Sequence, residues 1–225
     1  ISKFWFEKTK HIIENHLCVT DISLSQNLEE RCMVVRKTKV VPIEAIVRGY
    51  IAGSAWETYN KTNMLNSQIA NKDYKKNEKL DTPIFTPSTK AEVGDKDINI
   101  DIPKMKNIIG GELTDKIVKI SLDLYNFAYE YAKEKGVIIA DTKFEFGLNN
   151  NDELVLIDEI FTPDCSRFWL YDHESQEINH DAFDKQFFRD YLIENKWKNE
   201  QIFIPKKIKK EIMLRYSTAY KLITA

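Results

Sequence analysis

A short apolar run that leads directly into alternating charge is the feature that most constrains the fold. Residues 137–140 read Val-Ile-Ile-Ala, which is typical of a buried strand, and residues 141–146 continue as Asp-Thr-Lys-Phe-Glu-Phe. Because successive side chains of a strand point to opposite faces, Asp141, Lys143 and Glu145 share one face. We therefore expect a sheet with a row of charges on one face and aromatic side chains on the other.

The following segment predicts a β-hairpin that adds a fourth charge to this row. Residues 154–157 form an apolar strand, and the Asn and Asp residues before it tolerate the positive φ of tight turns. If the chain turns on Asn150 and Asn151 as a two-residue loop, Asp158 lies opposite Lys143. A slip of one residue would send Asp158 to the other face, so this placement depends on the turn.

This row of charges suits a magnesium ion and nucleotide phosphates. Carboxylate oxygens hold the hard cation, and the lysine neutralises phosphate charge. A solvated, salt-bridged surface hairpin is the alternative, and charged alternation alone favours it. Two features weigh against that alternative, because an apolar strand runs directly into Asp141 and Asp158 ends another one. Charges at the mouth of a buried sheet are expensive unless they are used.

Two further segments are candidates for a phosphate site. Residues 47–56 contain two glycines that let the backbone approach a ligand, with Arg48 as a source of charge and Ser54 as the expected N-cap of a helix. Residues 162–167 offer hydroxyl groups and Arg167, whose guanidinium group can take a phosphate bidentately. Taken alone, both segments are also compatible with ordinary surface turns.

The rest of the chain predicts helices and one long irregular segment. Helices are predicted from Ser2, as N-cap, to residue 16, from Thr114 to Gly136, around residues 183–191 and after Pro205. Residues 31–47, which are broken by Thr38 and by Pro42, predict two strands with an irregular joint. Residues 60–103, which include Lys90 in a hydroxyl-rich stretch, are expected to hold a lid or a substrate loop.

Composition and charge exclude several classes of function. Lys and Arg total 33 against 35 Asp and Glu, so no basic excess favours nucleic-acid binding. No apolar run reaches the length of a membrane span, and no stretch of signal-peptide type opens the sequence, so we expect neither insertion nor export. The three cysteines are far apart and no histidine pair has metal-ligand spacing, which indicates a cytoplasmic protein without a zinc site. Ser-His-Asp hydrolysis is unsupported, because no Gly-x-Ser-x-Gly elbow is present.

Several longer segments carry a family resemblance when they are taken together. They are residues 1–6, 34–37, 42–56 (PIEAIVRGYIAGSAW), 85–92 (FTPSTKAE), 139–147 (IADTKFEFG), 158–159 and 162–169. In this order they resemble the phosphoribosylaminoimidazole-succinocarboxamide synthase (SAICAR synthetase) family over nearly the whole chain. The resemblance implies an α+β, two-lobed fold with antiparallel sheets, flanking helices and an ATP cleft between the lobes. Residues 1–47 would hold the rest of the N-terminal lobe and the hinge, and residues 48–225 the substrate- and metal-binding lobe.

The resemblance also implies a reaction and a set of site residues. The family uses ATP to activate the carboxylate of an imidazole ribotide, which condenses with L-aspartate to give SAICAR, ADP and phosphate. Its cofactors would be ATP and Mg²⁺, and its partners small molecules. Carried over to this sequence, the ribotide phosphate would be bound by Arg48, Ser54 and Arg167, and the reacting carboxylate would be handled by Asp141 and Lys143. The metal would be bound by Glu145 and Asp158. The nucleotide would be contacted by Lys90 and Glu44.

The sequence departs from the family pattern at its start, and two other functions are alternatives to a ligase. Family members begin with a glycine-rich β-hairpin, carrying a lysine, that covers the nucleotide phosphates; none precedes Ile1, so we expect that an upstream segment is missing from this sequence. The alternatives are a non-catalytic nucleotide-binding relic and a small-molecule kinase. Retention of Lys143, Glu145 and Asp158 argues against a relic, and a requirement for aspartate separates the ligase from a kinase. The sequence leaves the oligomeric state open.

Overall fold

An antiparallel sheet of six strands organises the described part of the chain. The computed structural model describes residues 1–18, 32–65, 68–70, 72–90, 97–181, 183, 186–195 and 203–225. The strands are β1 (Lys39–Tyr50), β2 (Met64–Leu65), β3 (Gln68–Ile69), β4 (Lys79–Thr89), β5 (Val137–Leu148), β6 (Leu154–Ile157), β7 (Ser166–Tyr171) and β8 (Ile178–Asn179). The helices are α1 (Ser2–Thr9), α2 (Gly53–Thr62), α3 (Ile102–Ile109), α4 (Gly111–Glu134), α5 (Gln186–Glu194) and α6 (Lys206–Thr224).

The strand order of the main sheet is β4-β1-β5-β7-β8, and β6 also pairs with β5. The length of β5 explains this branching, because its first half pairs with β7 and its second half with β6. β1 occupies the other side of β5, while β2 and β3 form a separate two-stranded unit. Strands β1 and β5 therefore lie at the centre of the sheet, where the sequence predicted the strongest strand signals.

The apolar face of the main sheet packs against α4, as strand alternation predicts. Ala45, Val47 and Phe144 are buried on this face, and α4 buries Ile117, Leu124, Tyr125, Ala128 and Ala132 in the same core. Full burial of an Ile or Leu side chain is worth about 1.5–3 kcal/mol, so this layer holds helix and sheet together. The predicted helix is confirmed; it begins three residues early, at Gly111, and ends before Gly136, whose φ is +76°.

The first helix is shorter than the sequence predicted. α1 ends at Thr9, and Ser2 lies inside it because Ile1 is the N-cap. The chain then leaves the helix and runs beside β6, where Asn15 forms a parallel bridge. The amphipathic pattern beyond Thr9 therefore belongs to an extension of the sheet edge.

β1 is one continuous strand where the sequence predicted two. Its register with β5 shifts between Val40 and Glu44, and Pro42 lies in this interval. Proline has no N–H to donate, so the ladder is interrupted there while the strand continues. The boundary expected between residues 47 and 48 falls inside β1, and the division into two lobes stays a prediction.

The prediction of an irregular segment over residues 60–103 is wrong for residues 79–89. β4 occupies Lys79–Thr89 and forms an edge of the main sheet. Pro83 and Pro87 are compatible with this strand because one side of an edge strand makes no ladder. Residues 91–96 lie outside the described residues.

The helices predicted near the end of the sequence are confirmed as α5 and α6. α6 begins directly after Pro205, which is its N-cap. In the part of the chain that the structure describes, no helix is both long and apolar enough to cross a membrane.

Candidate functional site

One face of the main sheet carries a continuous set of polar side chains, which together are called the polar face. They are Thr86 and Ser88 on β4, Glu44 and Arg48 on β1, Asp141, Lys143 and Glu145 on β5, and Arg167 on β7. In the ladder, Glu44 pairs with Ser88 on one side and with Glu145 on the other. Arg48 pairs with Asp141, which pairs in turn with Arg167. Directly paired residues point to the same face, so the row predicted on β5 meets partners from both neighbouring strands.

Lys143 and two glutamates form one end of the polar face, which together with Lys90, directly after β4, is called the lysine end. Lys143 donates from Nζ to Oε1 of Glu44 at 2.7 Å and to Oε1 of Glu145 at 3.2 Å. Lys90 donates to the other oxygen of Glu145, and Ser88 donates to Oε2 of Glu44 at 3.3 Å. Both glutamates are buried, and buried carboxylates need such partners. The opposite charges at this end therefore balance.

The environment of Lys143 keeps its side chain charged. Burial lowers the pKa of Lys143, but the hydrogen bond from its ammonium group to Glu44 and the charges of Glu44 and Glu145 raise it more, so the pKa lies above its ordinary value. The side chain is an ammonium group at neutral pH. Phosphoryl transfer requires positioned positive charge of this kind more than it requires a nucleophilic side chain.

Two arginines and one carboxylate form the other end of the polar face, the arginine end. Asp141 accepts a hydrogen bond from Arg167 and lies 3.7 Å from Nη1 of Arg48. Arg48 also donates from Nε to Oγ1 of Thr86 at 2.9 Å and from Nη2 to Oγ of Ser54 at 3.3 Å. Burial and the charge of Arg167 lower the pKa of Arg48 while Asp141 raises it, and guanidinium groups stay protonated in proteins. Two guanidinium groups that lie this close together suit a phosphate group.

The start of α2 makes room for the arginine end. Gly53 has a φ of +53°, and a Cβ at this position would lie 2.5 Å from an Nη atom of Arg167. A side chain at Gly53 would therefore displace the guanidinium group. The prediction that Ser54 caps the helix is wrong, because α2 already begins at Gly53 with Ala52 as N-cap. Ser54 instead lies in the first turn, with its hydroxyl toward the arginine end.

A cavity of about 130 Å³ adjoins the arginine end. Its polar wall includes Arg48, Thr86 and Asn99. Asn99 reaches the cavity because residues 98–100 fold back and hydrogen-bond to the end of β4. The sequence drew attention to the hydroxyl groups of residues 85–92 without a specific role for Thr86 or Ser88, and it did not single out Asn99. Once β4 is recognised as a strand, the alternation of its side chains places Thr86 and Ser88 on the polar face. Asn99 is brought to the cavity by a tertiary contact, which no local sequence pattern indicates.

Asp158 does not lie opposite Lys143, as the predicted two-residue turn requires. The pairing of β5 with β6 leaves residues 149–153 in the loop, so the register differs from the prediction by one residue. β6 ends at Ile157, the ladder partner of Glu145, and Asp158 follows with a φ of +62° and an exposed side chain. Within the described residues, no hydrogen bond or ion pair joins its carboxylate to the lysine end. The carboxylate of Asp158 is therefore solvated, and Asp158 directly follows Ile157, the ladder partner of Glu145.

Glu145 at the lysine end and Asp158 just after β6 carry the hard oxygen atoms that Mg²⁺ prefers as ligands. Among the described residues, no group of three or more His, Cys, Asp and Glu side chains is placed to hold a metal ion by itself. Mg²⁺ keeps several waters and is usually bound by one or two carboxylates together with substrate phosphates. Glu145 and Asp158 supply hard oxygen ligands of this type.

One thiol group and two imidazole groups belong to the packed frame of the molecule. Burial raises the pKa of Cys165, so this thiol stays protonated beside the arginine end. His16 is buried with its ring edge against Phe6, and His180 packs edge-on against Trp169. These contacts give His16, His180 and Cys165 structural roles.

The sequence profile of SAICAR synthetase matches residues 1–203. The chain belongs to the SAICAR synthetase family. The phosphoribosylaminoimidazole-succinocarboxamide synthase of Methylobacillus flagellatus is 48% identical over 204 residues, which are 88% of this chain and 69% of that protein. The synthase of Cyberlindnera jadinii is 43% identical over an alignment that covers 100% of this chain and 79% of that protein.

Solved structures of SAICAR synthetases share this fold. The SAICAR synthase from Saccharomyces cerevisiae, complexed with SAICAR, has a TM-score of 0.85 and 37% identity, and the match covers 99% of this chain and 78% of that one. A SAICAR synthetase in complex with ADP has a TM-score of 0.70 at 24% identity over 99% of this chain and 77% of that one, a likeness in fold. The α+β SAICAR synthetase-like fold predicted from the sequence is confirmed.

Proposed function

We propose that the chain is an ATP-dependent carbon–nitrogen ligase that condenses 5-amino-1-(5-phosphoribosyl)imidazole-4-carboxylate with L-aspartate to give SAICAR, ADP and phosphate. The curated relatives carry the name of this activity. The observation that carries the proposal is the polar face, which has guanidinium groups at one end and ammonium groups at the other. Asp141 and Glu145 are four residues apart on β5, which is about 14 Å at 3.4 Å per residue. This spacing accommodates a ribotide phosphate at one end and a nucleotide at the other.

The arginine end binds the 5′-phosphate of the ribotide. Arg48 and Arg167 present guanidinium groups that Asp141 holds in place, and Ser54 adds a hydroxyl. A guanidinium group has five N–H donors in a rigid fork, which lets an arginine contact a carboxylate and a phosphate at the same time. The adjoining cavity is the place for the ribose.

The lysine end binds the nucleotide phosphates and the reacting carboxylate. Lys143 is held by Glu44 and contacts the group in transfer, while Lys90, which is 37% exposed, is able to exchange Glu145 for a phosphate oxygen. Glu145 and Asp158 hold Mg²⁺, which when bound neutralises charge on the phosphates. Each lysine thus has a carboxylate partner in the free protein and a phosphate partner in the complex.

The reaction proceeds in two steps that the side chains serve by positioning. An oxygen of the imidazole carboxylate attacks the γ-phosphorus, and ADP leaves with the bonding electrons. The amine of aspartate then attacks the acyl carbon, loses a proton and expels phosphate. Lys143 stabilises charge on the transferred group, and Asp141 orients the reacting carboxylate through the ribotide that the arginines hold. No side-chain nucleophile is needed, in agreement with the protonated Cys165.

The proposal extends to the position of the adenine and to the cellular compartment. The adenine lies near residues 36–44, in a cleft between a lobe of residues 1–47 and a lobe of residues 48–225. The three cysteines are free, which suits a reducing compartment, and we assign the protein to the cytoplasm.

Release of ADP by the full-length protein that contains this chain tests the proposal. With ATP and Mg²⁺ present, we expect ADP only when both the imidazole ribotide and L-aspartate are added, together with SAICAR in equal amount. ADP release without aspartate identifies a kinase and contradicts the ligase assignment. Nucleotide binding without any ADP release identifies a binding relic.

A further inference from the structure

A buried tyrosine on α4 contacts the main sheet where two of its ladders are irregular. Tyr125 is 1% exposed, and its hydroxyl donates to the carbonyl of Ile139 at 2.7 Å. The register of β5 with β7 shifts between Ile139 and Asp141. The register of β1 with β4 shifts between Arg48 and Tyr50. The hydroxyl therefore lies on the apolar side of the sheet, beneath the two irregular steps that precede Asp141 and follow Arg48.

Gly49 provides the space that this hydroxyl occupies. A Cβ at Gly49 would lie 2.0 Å from Oη of Tyr125 and 2.9 Å from its Cζ. Arg48 points to the polar face, so a side chain at Gly49 would point to the opposite face, toward α4. Any side chain at this position would push the tyrosine away from the Ile139 carbonyl. The glycine is required for a close approach between helix and strand.

Irregular steps of this kind set the direction of neighbouring side chains. An extra residue in a ladder bends the strand and re-aims the residues beside it, and such steps are common next to functional sites. Arg48 and Asp141 form the ladder pair that adjoins both steps, and Asp141 in turn holds Arg167. The backbone at Ile139 therefore controls the geometry of both arginines.

We propose that Tyr125 is a positioning residue for the arginine end. Its hydroxyl fixes the backbone between Ile139 and Asp141, so that Asp141 holds Arg48 and Arg167 at the separation that a phosphate needs. This inference rests on the proposed function, in which the arginine end binds the 5′-phosphate. Tyr125 touches no substrate and acts through Asp141.

The variant Tyr125→Phe tests this role, because it removes the hydroxyl and keeps the ring. We expect the KM for the ribotide to rise about tenfold, as for the weakening of one charge-assisted hydrogen bond to its phosphate, with kcat changed by less than about twofold. The KM for ATP stays the same, because the lysine end does not depend on this contact. A role in packing alone would lower the melting temperature without this separation of KM from kcat.

Tyr129→Phe is the matched control. Tyr129 lies one turn further along α4, stacks on Tyr125 at 5.9 Å, and hydrogen-bonds to the hydroxyl of Tyr50 at 3.0 Å. This variant also loses a buried hydroxyl, but that hydroxyl contacts a side chain instead of the strand backbone. We expect a comparable loss of thermal stability and an unchanged KM for the ribotide. Equal KM increases in both variants would overturn the role of Tyr125, as would no increase in Tyr125→Phe.

Gly49→Ala supplies an independent test of the same contact. The added methyl group displaces the hydroxyl, so the single variant is expected to reproduce the KM increase of Tyr125→Phe. The double variant is expected to show no further increase, because both substitutions remove one interaction. Additive increases would overturn the inference.

Titration with ribose 5-phosphate separates this inference from the proposed function. We expect the wild-type protein and Tyr129→Phe to bind it equally and Tyr125→Phe to bind it about tenfold more weakly. This measurement does not require turnover, so absence of SAICAR formation would overturn the ligase assignment while binding still decides the role of Tyr125. A wild-type protein that does not bind ribose 5-phosphate, or equal affinities in all three proteins, would overturn the inference.

Discussion

The arginine end and the lysine end of the polar face solve different problems with similar residue types. At the arginine end, Arg48 and Arg167 share one carboxylate, and their side chains are 8% and 17% exposed. At the lysine end, Lys143 and Lys90 share two glutamates, and their side chains are 30% and 37% exposed. The first end is more buried and is built from guanidinium groups, whereas the second is more open and is built from ammonium groups.

This difference teaches how one sheet face can hold one anion and act on another. A guanidinium group is a rigid fork that stays charged when buried, so the arginine end is organised before its phosphate arrives. An ammonium group is a mobile point charge, so the lysines are able to move from glutamate to phosphate oxygens during the reaction. We therefore expect substitutions at the arginine end to alter binding and those at the lysine end to alter turnover.

Lys143→Ala is expected to have the largest effect. Loss of this ammonium group removes charge stabilisation from the transferred phosphoryl group, and we expect kcat to fall about 10²- to 10³-fold in the ADP-release assay. Circular dichroism checks that the protein remains folded. The exposed Lys119 on α4 pairs with Asp123, and Lys119→Ala is the control that keeps full activity. Full activity in Lys143→Ala would remove this residue from the role proposed for it.

Asp158→Asn is expected to have the next largest effect. It replaces a charged metal ligand by an amide, and Asn tolerates the positive φ at this position. We expect turnover to fall about 100-fold at limiting Mg²⁺ and to recover in part at high Mg²⁺. Asp152→Asn is the matched control, because Asp152 is also exposed and has a φ of +59°. An unchanged magnesium dependence would show that Asp158 is not a ligand.

Arg167→Lys sharpens the comparison at the other end. Lysine keeps the charge but loses the bidentate fork, so the KM for the ribotide should rise about tenfold while kcat changes little. Steady-state kinetics with the ribotide and ATP varied in turn measures both constants. An effect confined to kcat, or to the KM for ATP, would reverse the assignment of the two ends.

The smallest expected effect concerns pH. Because Glu44 and Glu145 raise the pKa of Lys143, its contribution to stability is complete below the ordinary lysine pKa of about 10.4 and is lost only as pH rises through the higher folded value. The difference in melting temperature between wild type and Lys143→Met should therefore stay constant from about pH 7 to 9. A difference that changes steadily within this range would mean that Lys143 is not held by its glutamates.

The two ends also differ from the rest of the site in how much of them the sequence predicts. Alternation along one strand placed Asp141, Lys143 and Glu145 on one face, because an apolar run fixed which face is buried. Arg48 and Arg167 were predicted as phosphate ligands from two separate segments, and no local pattern could have paired them with Asp141. Side-chain alternation along a strand is a local property, and it fixes the residues that β5 contributes to both ends.

The features of the fold and site that the sequence did not predict depend on strand register and on tertiary contacts. Prolines and polar residues in β4 concealed an edge strand, and with it Thr86 and Ser88. The position of Asp158 was wrong because a single extra position in the loop changes the register of the whole hairpin. The contact of Tyr125 with Ile139 joins a helix to a strand irregularity, which neither segment signals alone.

Diffraction from crystals of the full-length protein soaked with ATP, Mg²⁺ and the imidazole ribotide tests the division of the polar face most directly. We expect the ribotide 5′-phosphate between Arg48 and Arg167, the nucleotide phosphates against Lys143, and Mg²⁺ on Glu145 and Asp158. Nucleotide phosphates at the arginine end, or a ribotide phosphate away from both arginines, would contradict the assignment of the two ends.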